Sequence, residues 1–318
     1  MLCSTVGSGL FYFCQAPEVP NQSQRAGSLG MLTHMQAPYA YIKVTFILSF
    51  PSLTFIRLTS SSSSIFTMLF ARAALASGII FPLYIYPGTS CSGWTPLINA
   101  ITTHPNLPFW VVVNPASGPG AVNSQPDANY QACIPQLRPA ANPNVKVLGY
   151  VPTGFGSRAQ SAVQADITTY SQWGASYKPN GIFFDEVAAN SANQILYSGY
   201  SGFAKNKISG AVVDYSNPGV ATPAEYYGFS DQIVTREDNY NNFSPSQYTI
   251  GSSTPASKQA VILHTTETTP PTCMLNAIVR VDKIGAVYFT SDVLPNPYDM
   301  FPPYWAGLVD AVQTAASA

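Results

Sequence analysis

Eight short apolar runs recur along the chain and alternate with stretches of helical character. The runs are Ile79–Tyr86, Phe109–Asn114, Val145–Val151, Gly181–Asp185, Gly210–Tyr215, Gln232–Thr235, Ala260–His264 and Gly285–Thr290. The helix candidates are Trp94–Thr103, Tyr130–Leu137, Ser157–Trp173, Ala189–Lys205, Thr222–Phe229, Pro271–Lys283 and Tyr304–Ala316. Runs that are apolar on both faces are typical of buried parallel strands. Eight such strand–helix units over residues 78–318 predict a single-domain (β/α)8 TIM barrel. The alternative is a doubly wound open sheet, but no GxGxxG turn opens the first helix.

Polar residues close nearly every apolar run. In a (β/α)8 barrel the chemistry lies at the carboxyl ends of the strands, where the loops converge. The residues expected there are Tyr86, Asn114, Tyr150, Asp185 with Glu186, Asp214 with Asn217, Glu237, His264 and Thr290 with Asp292. Rings, amides and carboxylates in that arrangement indicate a rim that binds a polyhydroxylated ligand.

Carboxylates are scarce in this chain, so each one can be considered individually. Lys and Arg number 14 and Asp and Glu number 15, which makes 9% of residues charged, against about 25% in ordinary domains. The net charge of −1 and the lack of a basic run argue against a nucleic-acid partner. Ala73 to Pro126 contains no charged residue, so the first two strands contribute no acid or base.

Asp185, Glu186 and Glu237 are the carboxylates that best fit a catalytic site. Asp185 and Glu186 directly follow Phe-Phe at the end of the fourth run, a costly place for charge unless it is used or paired. Glu237 ends the sixth run, two strands away, so it can face them across the mouth. Glycoside hydrolysis needs such a pair, about 5–5.5 Å apart for retention and about 6.5–9.5 Å for inversion. The alternative is that both neighbouring acids cap the helix predicted from Ala189. Asp214 is held in reserve.

Several ordered motifs carry a resemblance to a known family. They are Phe-Pro-Leu-Tyr-Ile-Tyr-Pro-Gly (81–88), Val-Val-Asn-Pro-Ala-Ser-Gly-Pro-Gly (112–120), Leu-Gly-Tyr-Val-Pro-Thr-Gly-Phe-Gly (148–156), Gly-Ile-Phe-Phe-Asp-Glu (181–186), Asn-Pro-Gly (217–219) and Gly-Ala-Val-Tyr-Phe-Thr-Ser-Asp (285–292). Across residues 78–310 the chain resembles the spherulin 4-like (spherulation-specific family 4) proteins, which are related to glycoside hydrolase families 135 and 114. The resemblance implies a (β/α)8 barrel and endo-cleavage of α-1,4-linked galactosamine or N-acetylgalactosamine polymers such as galactosaminogalactan.

The family's functional acids fall on Asp185, Glu186 and Glu237. In the mechanism expected here, Asp185 attacks or stabilises the anomeric carbon, Glu237 protonates the leaving oxygen and Glu186 orients the sugar. The chain departs from the family at Arg236, where an apolar or aromatic residue is usual, and a guanidinium close to Glu237 would favour its ionised form.

Four residues that close predicted strands are the expected sugar contacts: Tyr86, Asn114, Tyr150 and His264. Asp214 is a further candidate substrate-binding residue. Each of them could instead be an ordinary core residue. A second hypothesis is a non-catalytic carbohydrate-binding or wall-associated protein on the same barrel, because 19 Tyr and four Trp would serve binding equally well.

No cofactor or metal is expected, since the three His lie far apart and have no HxH or HExxH spacing. A disulfide between Cys91 and Cys133 is geometrically feasible, and buried free thiols are the alternative. We also expect a polysaccharide partner and no stable membrane span. A monomer and an extracellular or cell-surface location are favoured.

Residues 1–77 differ from the rest of the chain. Their apolar run from Val44 to Ile56 is interrupted by Pro51 and is too short to span a membrane. Three interpretations stay open: a disordered extension, a signal or anchor in an unusual position, or non-native sequence ahead of a start at Met68.

Overall fold

The computed structural model describes residues 75–208 and 213–318. Its eight parallel strands are β1 (Gly78–Leu83), β2 (Phe109–Val113), β3 (Val145–Pro152), β4 (Gly181–Asp185), β5 (Val213–Ser216), β6 (Gln232–Asn239), β7 (Gln259–His264) and β8 (Ala286–Phe289). Each strand pairs with the next and β8 pairs with β1, so the sheet closes. The predicted (β/α)8 barrel is thereby confirmed. The predicted leader falls almost wholly within residues 1–74, outside the described residues.

The helices pack around this barrel. They are α1 (Thr95–Thr103), α2 (Ala128–Cys133), α3 (Gln160–Ser171), α4 (Gln194–Lys207), α5 (Thr272–Leu275) and α6 (Trp305–Ala316), and a π-helix (Asn276–Val281) continues α5. A 3-10 helix, Ala224–Gly228, takes the place of the helix predicted from Thr222 to Phe229. In the part of the chain that the structure describes, no helix is both long enough and apolar enough to cross a membrane.

Three strands differ most from their predicted bounds. β1 ends at Leu83, whereas the prediction ends it at Tyr86. The prediction ends the sixth strand at Thr235, but β6 continues to Asn239 and pairs with β7 after a bulge between Val234 and Arg236. Pairing with β7 extends the strand through this polar sequence, and Glu237 and Asp238 line a cavity at its end. The fifth strand was predicted from Gly210; it begins at Val213, and residues 209–212 lie outside the described residues.

Aromatic side chains fill the barrel interior. The rings of Trp110 on β2 and Tyr215 on β5 lie 5.9 Å apart, although these strands are not neighbours. Phe183 on β4 lies 6.2 Å from Tyr215. Since side chains alternate along a strand, inward positions of Phe183 and Tyr215 also direct Asp185 and Asn217 inward.

Candidate active site

Two carboxylates meet at the carboxyl end of the barrel through a single amide. Asn217, which follows β5, donates from Nδ2 to Asp185 Oδ1 at 2.8 Å and to Glu237 Oε2 at 2.7 Å. Asn217 is held in turn by its own Oδ1, which accepts from the Gly219 amide at 3.0 Å. The ends of β4, β5 and β6 thus place both acids around one nitrogen atom.

Two tyrosines occupy the remaining oxygen of each carboxylate. Tyr150 on β3 donates its hydroxyl to Asp185 Oδ2 at 2.7 Å. Tyr298, from the loop after β8, donates to Glu237 Oε1 at 2.5 Å. Tyr84 lies beside both tyrosines. Its ring is edge-on to those of Tyr150 and Tyr298, with centroid distances of 5.7 and 5.9 Å. Both acids are therefore fixed in orientation before any ligand binds.

Burial and mutual repulsion shape the protonation of this cluster. Burial raises the pKa of Asp185 to about 6, and the charge of Glu237 adds to the increase. The hydrogen bond from Tyr150 opposes it by stabilising the carboxylate. Burial and the nearby carboxylates hold the pKa values of Tyr84 and Tyr298 well above their usual value, so both phenols stay neutral. The raised pKa of Asp185 thus follows from its burial and from the neighbouring carboxylate.

A cavity of about 680 Å³ opens beside Glu237. Glu237, Asp238, Tyr84 and His264 line it from the barrel side. The loop after β8 supplies the opposite wall from Leu294 to Asp299. This volume accommodates a sugar residue against Glu237. In residues 75–208 and 213–318, no three His, Cys, Asp or Glu side chains are grouped so that they could hold a metal ion.

Glu186 is placed differently from Asp185, its neighbour. Its backbone is left-handed, with φ +54°, so the strand alternation breaks after Asp185. Its carboxylate Oε2 accepts from the Gly154 amide at 3.0 Å. Glu186 therefore binds the loop after β3.

The predicted sugar contacts have different surroundings. His264 is 7% exposed, lines the cavity, and has Nδ1 2.7 Å from Thr265 Oγ1. Tyr86 is 53% exposed, and its hydroxyl accepts from Asn129 on α2 at 2.8 Å. Asn114 accepts from the Gly118 amide at 2.9 Å within its own loop. Of these three, the structure brings His264 to the cavity.

Asp214 faces the helices. Because Tyr215 points into the barrel, its neighbour points outward, and Asp214 accepts from Ser201 on α4 at 2.7 Å. Asp214 is 1% exposed, and burial raises its pKa to about 7. The structure does not bring it together with Asp185 and Glu237.

Arg236 precedes Glu237 on β6. Its Nε is buried without a hydrogen-bond partner. The ion pairs found among the described residues are His104–Asp310, Arg158–Asp166 and Lys205–Asp231. Arg236 thus makes no ion pair with Glu237 in the described part of the chain.

Sequence reasoning missed two residues of the cluster, Tyr298 and Tyr84, and assigned no role to a third, Asn217. Tyr298 lies in a loop well beyond the end of β8, where no periodicity marks it. Tyr86 was chosen instead of Tyr84, although the two residues are two positions apart in the predicted first strand and so share the same face of it. Asn217 was noted at a strand end, but its contact with both acids depends on how β4, β5 and β6 lie side by side.

Sequence comparison shows the family to which the chain belongs. A sequence profile of spherulation-specific family 4 matches residues 78–312, which is the whole barrel. The chain belongs to this family. It is 31% identical over 246 residues to spherulin-4 of Physarum polycephalum, covering 75% of this chain and 67% of that protein.

A solved structure supports the assignment to spherulation-specific family 4. The crystal structure of Aspergillus clavatus Sph3 in complex with GalNAc matches with a TM-score of 0.66 and 28% sequence identity. The match covers 75% of this chain and 98% of Sph3. The family barrel is therefore shared with a protein that has been crystallised with an amino sugar.

Proposed function

We propose that this barrel is a glycoside hydrolase that cleaves α-1,4-linked galactosamine or N-acetylgalactosamine polysaccharides internally. The observation that carries the proposal is the pair Asp185 and Glu237, held on one Asn217 amide, with Glu237 lining a cavity of sugar size. The GalNAc in the Sph3 crystal supports the class of substrate.

The geometry favours a retaining reaction. Asp185 Oδ1 and Glu237 Oε2 lie 2.8 and 2.7 Å from one nitrogen, so these two oxygens are at most about 5.5 Å apart, which fits the spacing of retaining enzymes. In this proposal Asp185 attacks the anomeric carbon and forms a glycosyl-enzyme bond. Glu237 gives its proton to the leaving oxygen and then takes a proton from the water that releases the sugar.

The protonation states fit these roles as a coupled pair. A proton on Glu237 removes the negative charge that helps to raise the pKa of Asp185. Asp185 is then the anion, stabilised by Tyr150 and Asn217. The hydroxyl of Tyr298 can rotate to accept the proton of Glu237, because a phenol both donates and accepts. Glu186 supports the site by holding the loop after β3.

The first test is reducing-end release from galactosaminogalactan. We expect Asp185→Asn and Glu237→Gln each to lower kcat by about 10³-fold, because each removes a group that acts on the reacting bond. The matched control is Glu225→Gln, an exposed acid on the 3-10 helix before β6, which should retain wild-type turnover. Activity that survives both site substitutions would contradict the mechanism. Binding without product in the wild type would favour the carbohydrate-binding alternative.

Azide rescue separates the two roles. Azide should restore turnover in Asp185→Ala and give a glycosyl azide of inverted configuration, because azide attacks in place of the nucleophile. In Glu237→Ala it should give the retained configuration, because azide attacks the glycosyl-enzyme that Asp185 still forms. The reverse pattern would exchange the two assignments.

A further inference from the structure

An exposed aromatic ring stands on a strained turn next to the proposed site. The turn, here called the Phe155 turn, comprises Gly154–Gly156 after β3. Phe155 is 65% exposed and has φ +53°. An aromatic residue in the left-handed region costs about 1–2 kcal/mol and is rare. An exposed ring also returns little stabilisation from burial, so folding alone does not account for Phe at this position.

The turn is held from several sides. Consecutive amides of Thr153, Gly154 and Phe155 donate to Asp185 O at 2.9 Å, Glu186 Oε2 at 3.0 Å and Glu186 O at 2.7 Å. The buried Thr153 hydroxyl lies 2.8 and 2.7 Å from the same two carbonyl oxygens. Gly156 has left-handed backbone, with φ +81°, and a Cβ there would lie 2.9 Å from Asn193 Oδ1, so glycine is favoured. Contacts with Asp185 and Glu186 thus hold the turn in this strained conformation.

We propose that Phe155 is a platform on which a pyranose ring of the polysaccharide stacks, outside the cavity beside Glu237. The inference rests on the proposed function and adds a subsite to it. A galacto-configured ring presents an apolar face of C–H groups, which lose contact with water when they pack on an exposed aromatic ring. Glu186 is a positioning residue for this platform, because its carboxylate and carbonyl both fix the turn.

The platform predicts opposite effects on stability and binding. Phe155→Asn tolerates the left-handed backbone and removes the ring, so it should fold at least as stably as the parent. It should weaken binding of a long oligosaccharide about ten-fold, the loss expected from one ring contact. If Phe155 only packed against the rest of the protein, Phe155→Asn would instead destabilise the fold.

The experiment is calorimetric binding of α-1,4-linked N-acetylgalactosamine hexamer and trimer to the full chain carrying Asp185→Asn, which prevents cleavage. In that background Phe155→Asn and Phe155→Ala should weaken hexamer binding more than trimer binding, and Phe155→Trp should restore it. The control is Ile250→Ala. Ile250 is an exposed apolar residue next to Thr249, whose carbonyl contacts the first residue of β7 at the opposite end of the barrel.

Three outcomes would count against the platform. If the Asp185→Asn chain binds the hexamer with the same affinity with and without Phe155→Asn, the platform is overturned and the proposed function stands. A fall in melting temperature that accompanies the loss of affinity, with no rescue by Phe155→Trp, assigns Phe155 a packing role and also overturns it. A parent that binds neither oligomer, together with a wild type that releases no reducing ends, overturns the proposed function and this inference with it.

Discussion

The protonation of the site depends on single hydrogen bonds. Asn217 donates to both carboxylates, and Tyr150 and Tyr298 each fix one of them. Donors of this kind favour the ionised carboxylate, whereas burial and a neighbouring charge oppose it. For Asp185 burial dominates and raises its pKa to about 6. The acid limb of activity should therefore lie near pH 6 rather than near pH 4.

Asn217 offers the sharpest test at this scale. Asn217→Asp places a third negative charge beside Asp185, which raises the pKa of Asp185 further. We expect the acid limb of kcat/KM to move to higher pH, with a loss of about 10–100-fold at the pH optimum. Asn217→Ala removes a donor and should move the limb in the same direction. An unchanged pH profile at reduced activity would show that Asn217 acts only in folding.

At the scale of elements, a disulfide joins the connection after β1 to α2. Cys91 and Cys133 are bonded, with a Cα–Cα distance of 5.5 Å, which settles the choice between a disulfide and free thiols in favour of the disulfide. Cys91 follows Ser90, and both have left-handed backbone. The bond fixes the connection between the first two strands, which forms part of the rim near Tyr86.

Removal of this disulfide should destabilise the protein without changing the site. The sequence separation of 42 residues corresponds to about 3–4 kcal/mol of loop-closure entropy in the unfolded chain. The double variant Cys91→Ser with Cys133→Ser should lose about this much in equilibrium denaturation. Its kcat at low temperature should match the wild type, because neither residue contacts the acids. A loss below about 1 kcal/mol would show that the loop is already constrained in the unfolded state.

The whole molecule carries few charged residues, and two of its acids are withdrawn from water: Asp214 is buried and Asp185 is half-buried. Asp185 and Asp214 have folded pKa values of about 6 and about 7, above the unfolded value of 3.8. The folded protein thus holds more protons than the unfolded chain between pH 4 and pH 7. By linkage, this contribution to stability is present below pH 4 and is lost as the pH rises through 7.

Asp214→Asn should remove much of that dependence. The amide keeps the shape of the protonated acid and never ionises, so the variant should be more stable than the wild type by roughly 2–4 kcal/mol at pH 8. The difference should vanish near pH 4. Thermal unfolding at both pH values measures it, with Glu225→Gln as the control that leaves the profile unchanged. If the stability of the wild type and of Asp214→Asn depended on pH in the same way, the raised pKa of Asp214 would be contradicted.

The sequence alone determined the architecture and singled out the acids to which we assign the proposed chemistry. Doubly apolar runs and their alternation with helices are local signals, so the barrel and most of its strands could be predicted. The double acid after Phe-Phe and the acid two strands on identified Asp185, Glu186 and Glu237. The ends of strands with polar residues were harder to predict. The length of β6, for example, depends on its pairing with β7, and no local pattern marks where it ends.

The tertiary structure alone decided how the site is assembled. It showed Asn217 between the two acids, brought Tyr298 back from a distant loop, turned Asp214 to the helices and directed Glu186 to the Phe155 turn. These positions depend on which strands lie side by side and on where the backbone leaves the extended conformation. A single sequence carries little record of either, because both are set by contacts between residues far apart along the chain.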